Sequence, residues 1–449
     1  MRRTRNPQIA RFKKAFLQIQ KLPFNDFFPS DVISDIIKLT RDRRGSIFTP
    51  LVTLKTFIFQ VLSDDGSCQR AVGDVLAERL SQGQSANSVN TGPYCKARNR
   101  LPLEPIIQAV KKVGMRLHQQ IPKVWQWKGY RVVLLDGTTV LMPDTADNQK
   151  DFPQQTHQKP GLGFPIARMV GLISLTAGTL LDFRLSPYQG KGSGETSLFA
   201  QLMSSLNPGD LLLADRYYCT FAIIALLQAK GIPVLMQNHA QKKTDFRRGK
   251  RLGQRDHWID WQKPKRKPVW LSEQEYAELP QEIRVREFSA AGRIFISTLM
   301  ADKPHHKQDL ATLYLERWKI ELDFRTLKTH MGMEMLRCKT AEMVKKEIAV
   351  NLLAYNLIRG NMAQAAILGD KLPRQISFRS AVQFISEITS DLLSLTGKTL
   401  QNILLEMLKA IASVSIGRQK RKRQPRAVKR RPKAYPLLTV PRHEACVTI

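Results

Sequence analysis

Hydrophobic and polar positions change period near residue 131. Before it, apolar side chains recur at helical spacing. IFTPLVTLKTFIFQVL (47–62) is one such segment, with Pro50 admissible in a first turn. The polar turn SDDGS (63–67) leads into CQRAVGDVLAERL (68–80), and a Ser/Asn/Gly-rich loop spans 81–92. PYCKARNRLP (93–102) follows, then a helix expected from about 103 to 119. From 131 the pattern reads as strands. RVVLLDGTTV (131–140) is β-branched and apolar up to Asp136, where Gly137 is expected to break the run. GFPIARMVGLISLT (163–176) and TLLDFRLSPY (179–188) flank Ala177-Gly178 as an antiparallel pair. After the loop QGKGSGE (189–195), ETSLFAQLMSSL (195–206) reads as a helix. LLLAD (211–215) is a short continuous apolar run, as in a central buried strand, and ends at Asp215. CTFAIIALLQAKG (219–231) is a helix stopped by Gly231, and PVLMQN (233–238) is another central strand.

Three strands, a helix, a strand, a helix and a strand predict an α/β mixed sheet: an antiparallel meander followed by parallel crossover units. Residues 240–300 break the pattern. They are dense in Lys and Arg, interleaved with Phe246, Trp258, Trp261 and Trp270, and end in two strands around Ala291-Gly292. An inserted, mainly β subdomain is expected there. Its aromatics either stack on unpaired bases or pack a small core of their own, and the core is the commoner fate of any one Trp. Helices are expected over about 307–331, 339–366 and 374–416. No internal repeat is present.

One helical stretch stands apart. YLERWKIELDFRTLK (314–328), at 100° per residue, sorts into four faces. Leu313, Ile320, Phe324 and Leu327 form one apolar stripe; Leu315, Trp318 and Leu322 form a second. Thr312, Glu316, Lys319, Asp323 and Thr326 are expected to face water. Tyr314, Arg317, Glu321 and Lys328 occupy a narrow band between the stripes. A charged band in that setting is either a buried Arg317–Glu321 ion pair at i,i+4 or a site of chemistry.

Charge narrows the choice. Seventy-one Lys and Arg against 38 Asp and Glu give a formal net +33, a field suited to a polyanion. No apolar run is long enough to span a membrane, and the basic start MRRTRNPQIARFKKAF lacks the apolar core of a secretory signal. Five cysteines without a CxxC pair suggest neither a zinc knuckle nor a disulfide framework, so a reducing cytoplasm and association with the nucleoid are expected. Lys96, Arg98 and Arg100 on the third of the short N-terminal helices suit a DNA-binding module; a plain bundle with a solvated basic face is the alternative. The tail GRQKRKRQPRAVKRRPK (417–433), with ten basic residues, is expected to be disordered and to bind phosphates loosely. The expected division is a helical DNA-binding domain over 1–125, the first part of a catalytic core over 126–239 and a basic β-rich insertion over 240–300. Core helices carrying Glu321 (301–370), a helical C-terminal region (371–416) and the basic tail (417–449) complete it.

Asp136 and Asp215 end neighbouring strands on this reading, and Glu321 lies on a later helix packed across the sheet. Three converging carboxylates make a hard oxygen-only site suited to Mg²⁺ or Mn²⁺. Two such ions, roughly 3.5–4 Å apart, activate a water or 3′-hydroxyl and stabilise the leaving oxygen of an in-line phosphoryl displacement. Taken singly, Asp136 could instead cap a turn before Gly137, and Asp215 could pair with Arg216.

Tyr314-x2-Arg317-x3-Glu321-x6-Lys328 resembles the Y-R-E-K signature of bacterial insertion-sequence transposases of the D-D-E type. DGTTV at Asp136 and ADRYY at Asp215 resemble that group's two aspartate motifs, and NTGPYCKARNRLP (90–102) its N-terminal region. The resemblance spans roughly residues 25–365. It implies an RNase H-like core with a β insertion before the glutamate helix. It implies two divalent ions held by Asp136, Asp215 and Glu321, and DNA contacts from Tyr314, Arg317 and Lys328. It further implies cleavage at transposon ends, strand transfer into double-stranded target DNA, and a homodimer bridging two ends. A domesticated, DNA-binding but non-cutting descendant is the alternative. Some members of the group form a DNA hairpin with the help of a stacking aromatic in the insertion. Phe295, Trp258, Trp261 and Trp270 are the candidates here, and the sequence does not choose among them.

Overall fold

The structure, a computed structural model, describes residues 30–40, 46–85, 88–239, 241–300, 305–392, 397–416, 440–441 and 444. The basic stretch 417–433 lies outside them. Five helices come first: α1 (Ser30–Leu39), α2 (Pro50–Leu62), α3 (Cys68–Ser81), α4 (Gly92–Arg100) and α5 (Leu103–Gln119). Their starts follow from local chemistry. The Thr49 hydroxyl accepts from the Val52 amide ahead of Pro50, and the Ser67 hydroxyl accepts from Arg70.

Then come β1 (Arg131–Leu141), α6 (Ala146–Asp151), β2 (Ile166–Ser174), β3 (Leu180–Pro187), α7 (Glu195–Leu202), β4 (Asp210–Ala214), α8 (Phe221–Ala229) and β5 (Val234–Gln237). The basic segment supplies β6 (Lys250–Gly253), β7 (Asp256–Gln262), α9 (Glu273–Glu278), β8 (Glu282–Ala290) and β9 (Arg293–Ser297). The chain continues through α10 (Lys307–Leu315), a 3₁₀ turn (Glu316–Trp318), α11 (Lys319–Arg325) and a π turn (Thr326–His330). It then forms α12 (Ala341–Leu368), α13 (Phe378–Leu392) and α14 (Gly397–Ser413).

The sheet order is β3-β2-β1-β4-β5-β9-β8-β7-β6. β1 is antiparallel to β2 and parallel to β4, and β4 is parallel to β5. The first five strands therefore have the antiparallel meander and parallel crossovers that the strand–helix order predicted, which is the RNase H-like arrangement that the resemblance implied. The basic segment does not build a sheet of its own. β9 pairs antiparallel with β5, so one nine-stranded sheet runs through both. Between β8 and β9, Ala291 (φ 49°) and Gly292 (φ 73°) make a two-residue turn whose positive φ angles match the twist of the hairpin.

Helices cover both faces. Val132, Leu134, Leu211 and Leu213 join one apolar cluster with α5, α10, α11 and α12; Val133, Leu135, Leu212 and Ala214 join another with α7 and α8. Strands buried on both sides read as continuous apolar runs, which is the pattern of 132–135 and 211–214. Contrary to expectation, Asp136 is not a strand end and Gly137 does not break β1. Antiparallel pairing with β2 continues unbroken from Val133↔Ser174 to Leu141↔Ile166 and carries the strand through both residues.

α5 crosses β3 at Gly114. A Cβ there would lie 1.9 Å from the Leu180 carbonyl oxygen and 2.9 Å from Asn356 Nδ2. Asn356 fastens the same crossing: it donates to the Val110 and Leu180 carbonyls and accepts from the Leu180 amide. Gly114→Ala must move backbone, and is expected to lower the unfolding free energy by about 3 kcal/mol, the upper end for overpacked sites. Urea unfolding with an unchanged m value measures it.

Candidate active site

β1 outruns β4. Their parallel pairing stops at Leu134↔Leu213, and two residues further in the same register stand Asp136 and Asp215. Strand alternation puts both on the face of Leu134 and Leu213, the face crossed by α11. Asp215 does not pair with Arg216 among the described residues; its Oδ1 accepts from the Tyr217 amide at 2.8 Å and caps the turn that follows β4.

Arg317 joins the acids. Its Nη1 donates to Asp136 Oδ2 at 3.2 Å and its Nη2 to Glu321 Oε1 at 3.0 Å. The i,i+4 pair weighed from the sequence is therefore present, but the same guanidinium also reaches the first aspartate. Asp136 Oδ1 accepts from the Gly137 amide at 2.8 Å. Burial is the main cause that pushes the Asp136 carboxyl up to about 6. The Gly137 amide and Arg317 act against it, and the charges of Asp215 and Glu195 add to it. A pocket of about 300 Å³ opens beside these groups, lined by Asp136, Thr138, Glu321, Lys328 and Glu334 among others. Burial holds the Lys328 ammonium below its usual range, and Glu334 opposes that.

The helix bearing these residues departs from the four-face picture. Leu313, Ile320, Phe324 and Leu327 are buried as expected. The second stripe is not: Leu315, Trp318 and Leu322 are 65%, 53% and 41% exposed, because only one side of the helix meets the sheet. Asp323, expected in water, is 1% exposed, because α12 and the turn at Pro373–Gln375 close over it. Its Oδ1 accepts from Arg359 Nη2 at 2.8 Å and its Oδ2 from Arg374 Nη2 at 2.7 Å. Arg374 also donates to the Ser174 and Leu175 carbonyls at the end of β2, so this buried knot ties the Glu321 helix to the sheet.

Other expected site residues are distributed unevenly. Tyr314 is buried with its ring edge-on to Phe295, at 5.0 Å between centroids. Desolvation pushes its hydroxyl up to about 12 despite nearby Arg317. Phe295 is itself buried and stacked on Phe288, and Trp261 is buried and donates to Glu287 Oε1 at 2.7 Å, so both serve the core. Trp258 and Trp270 are partly buried.

On α4, Lys96 is exposed. Arg98 is turned inward over the Phe57 and Tyr94 rings and donates to Gln60 Oε1 at 3.1 Å, so its planar cation joins helices. Arg100 is half-buried, with its Nε away from solvent. Cys68 and Cys95, remote in sequence, bring their sulfurs within 3.7 Å.

The sequence reading missed Asp323, Glu195 and Tyr218. Tyr218 stands in the ADRYY motif, three residues after Asp215, but Glu195 looked like an ordinary acidic helix start.

The donor chemistry at Asp136, Asp215 and Glu321 fits a hard divalent cation, all of it carboxylate oxygen. Among the described residues no group of three or more His, Cys, Asp or Glu is already close enough to hold one, and Arg317 supplies the positive charge between Asp136 and Glu321.

Asp136 thus stands inside β1 and Asp215 just beyond β4, each two residues past the last β1–β4 pair, with Glu321 facing them from a crossing helix. Residues 127–357, just over half the chain, match the transposase DDE domain model. The chain belongs to this family, the DDE transposases of bacterial insertion sequences. It is similar to transposase InsG of insertion sequence element IS4 from Escherichia coli K12, at 26% identity over 76% of this chain and 77% of that protein. A stretch of 76 residues is 34% identical to the transposase of insertion sequence element IS421 from Escherichia coli, covering 17% of this chain and 20% of that one. Among solved structures, a piggyBac transposase synaptic complex with hairpin DNA is similar at a TM-score of 0.46 and 10% identity, over 88% of this chain and 86% of that one. No helix of the described residues is long and apolar enough to cross a membrane.

Proposed function

We propose that this transposase binds the terminal repeats of its own element, cuts there by two-metal phosphoryl transfer and joins the 3′-hydroxyl ends to double-stranded target DNA. The observation that carries the reading is the shared register and face of Asp136 and Asp215, with Glu321 tied to Asp136 through Arg317. Asp136, Asp215 and Glu321 would hold two Mg²⁺ or Mn²⁺ ions. Bound there, such ions lower the pKa of an attacking water or hydroxyl and offset charge on the leaving oxygen.

The chain's own residues do the rest. The Arg317 guanidinium bridges and balances two of the acids, Asp136 and Glu321. Its planar fork is also suited to a phosphate of the bound DNA. Lys328, on the rim of the same pocket, places a second positive charge one helical segment away. Tyr314, with Arg317, Glu321 and Lys328, completes the Y-R-E-K pattern; buried against Phe295, it supports the backbone from which Arg317 projects. Lys96, Arg98 and Arg100 sit on the helical module proposed to grip the element end. Of the three, Lys96 is the exposed cation for phosphate, while Arg98 shapes the helix that presents it. Two protomers bridging two ends would form the working homodimer.

Nicking of a duplex that carries the element's terminal sequence, in Mg²⁺, tests the reading. Cleavage of that duplex but not of a scrambled one is expected, and failure of the wild type to nick or join it in Mg²⁺ or Mn²⁺ would overturn it. Lys328→Ala is expected to weaken binding to this duplex and to lower the slope of log affinity against log salt by about 0.9, one phosphate contact. Fluorescence anisotropy at several salt concentrations reads both.

A further inference from the structure

The opposite face of β1, at the same point along the strand, carries a second acid. Gly137 does not have a positive φ, so its backbone does not require glycine. Its open side is filled by a carboxylate: a Cβ there would lie 2.7 Å from both the Cδ and the Oε1 of Glu195, so the end of that side chain would have to shift. The Glu195 carboxylate therefore rests on the backbone of the residue that follows Asp136. Its Oε2 also accepts from the Tyr218 hydroxyl at 3.1 Å, and Tyr218 is fully buried, three residues after Asp215. One carboxylate thus touches both aspartate motifs.

Its countercharge is weak. Arg168 Nε is 4.0 Å from Glu195 Oε1, while the same guanidinium donates to the Ser193 carbonyl at 2.7 Å and lies over the Tyr188 ring. Because β4 stops at Ala214, β1 has lost its neighbour on that flank where Gly137 stands. An ordinary helix-start glutamate would point to solvent along its own first turn; this one is 30% exposed and directed at the strand.

We propose that Glu195 is a fourth acid of the centre: a positioning residue that acts through the Asp136–Gly137 backbone and Tyr218 to strengthen divalent-cation binding. This rests on the reading of Asp136, Asp215 and Glu321 given above. Glu195 adds negative charge behind the ligands and fixes the middle of β1 and the turn after β4, the two segments that bear the aspartates. Outer partners of this kind commonly change metal affinity by about 10–100-fold.

The test titrates Mn²⁺ into the cation-free full chain and reads free Mn²⁺ by electron paramagnetic resonance, with thermal unfolding of each cation-free variant alongside. Glu195→Gln keeps the shape and an acceptor for Tyr218. It is expected to weaken Mn²⁺ binding about tenfold or more, with a melting temperature equal to or above the wild type's. Glu195→Asp, which retains the charge, is expected to recover part of the loss. Wild-type Mn²⁺ affinity in folded Glu195→Gln, with weakened binding in Asp136→Asn, would overturn this proposal and leave the acid centre standing. Absence of Mn²⁺ binding by the wild type, or indifference to Asp136→Asn, would instead remove the centre on which it rests. A Glu195→Gln whose Mn²⁺ loss is matched by a lowered cation-free melting temperature, without recovery in Glu195→Asp, would assign Glu195 to the fold alone and also overturn the proposal.

Discussion

Asp323→Ala is expected to destabilise the protein by about 3–5 kcal/mol, because it strands two buried guanidiniums. Asp323, Arg359 and Arg374 are 1%, 6% and 12% exposed at their side chains, and Asp323 is the carboxylate that both arginines share. Arg359 would keep the Tyr355 hydroxyl at 3.0 Å, and Arg374 would keep the Ser174 and Leu175 carbonyls; neither replaces a negative charge. Asp323→Asn, with an acceptor but no charge, should fall between alanine and wild type. Denaturant unfolding at neutral pH measures the change, and a loss below about 1 kcal/mol for alanine would show that the knot contributes little. Asp323 lies two residues beyond Glu321, so a folded Asp323→Asn should also lose activity, through the placement of the helix rather than through chemistry.

Asp136→Asn is expected to do the opposite to stability while removing activity. Folding pushes the Asp136 carboxyl from an ordinary 3.8 to about 6. Below about pH 4 the acid is protonated whether folded or unfolded, and its ionisation costs the fold nothing. Between about 4 and 6 the unfolded chain has released its proton and the folded one resists, so folded stability falls as pH rises. Above about 6 the penalty is constant at about 3 kcal/mol, an upper figure because the asparagine interacts less well with Arg317. Cation-free Asp136→Asn should therefore melt above the wild type at pH 7.5, with the gap closing near pH 4. Added Mg²⁺ should stabilise the wild type and not the variant. A wild type that melts higher than Asp136→Asn without cation at pH 7.5 would contradict the electrostatic account of the site.

Much of this was legible in the sequence, for identifiable reasons. β4 could be read because a run buried on both faces is continuously apolar, and the β8–β9 hairpin because Ala291-Gly292 marks its turn. The three acids could be singled out as candidates because each stands in a local signal of its own: an aspartate before a glycine, another closing an apolar run, and a glutamate spaced from basic partners. What failed depended on partners far along the chain. β1 continues past Gly137 because β2 pairs with it there, which no local pattern around DGTTV encodes. Asp323 looked solvated because helical periodicity carries no information about α12 or the turn near Arg374. The stripe of Leu315, Trp318 and Leu322 looked buried for the same reason. Glu195 was illegible because its role arises from a space left by Gly137 and from Tyr218, and nothing within its own helix points to either.

Asp136, Asp215 and Glu321 are proposed to form one cation-dependent cutting centre. Its most direct test is Mg²⁺-dependent nicking of the element's terminal duplex by wild type, Asp136→Asn, Asp215→Asn and Glu321→Gln, with duplex binding measured in parallel. Each variant should bind the duplex and lose nicking on the order of 10³-fold or more, the several kcal/mol that metal-assisted charge stabilisation supplies. Nicking near the wild-type rate by any one of the three would contradict it.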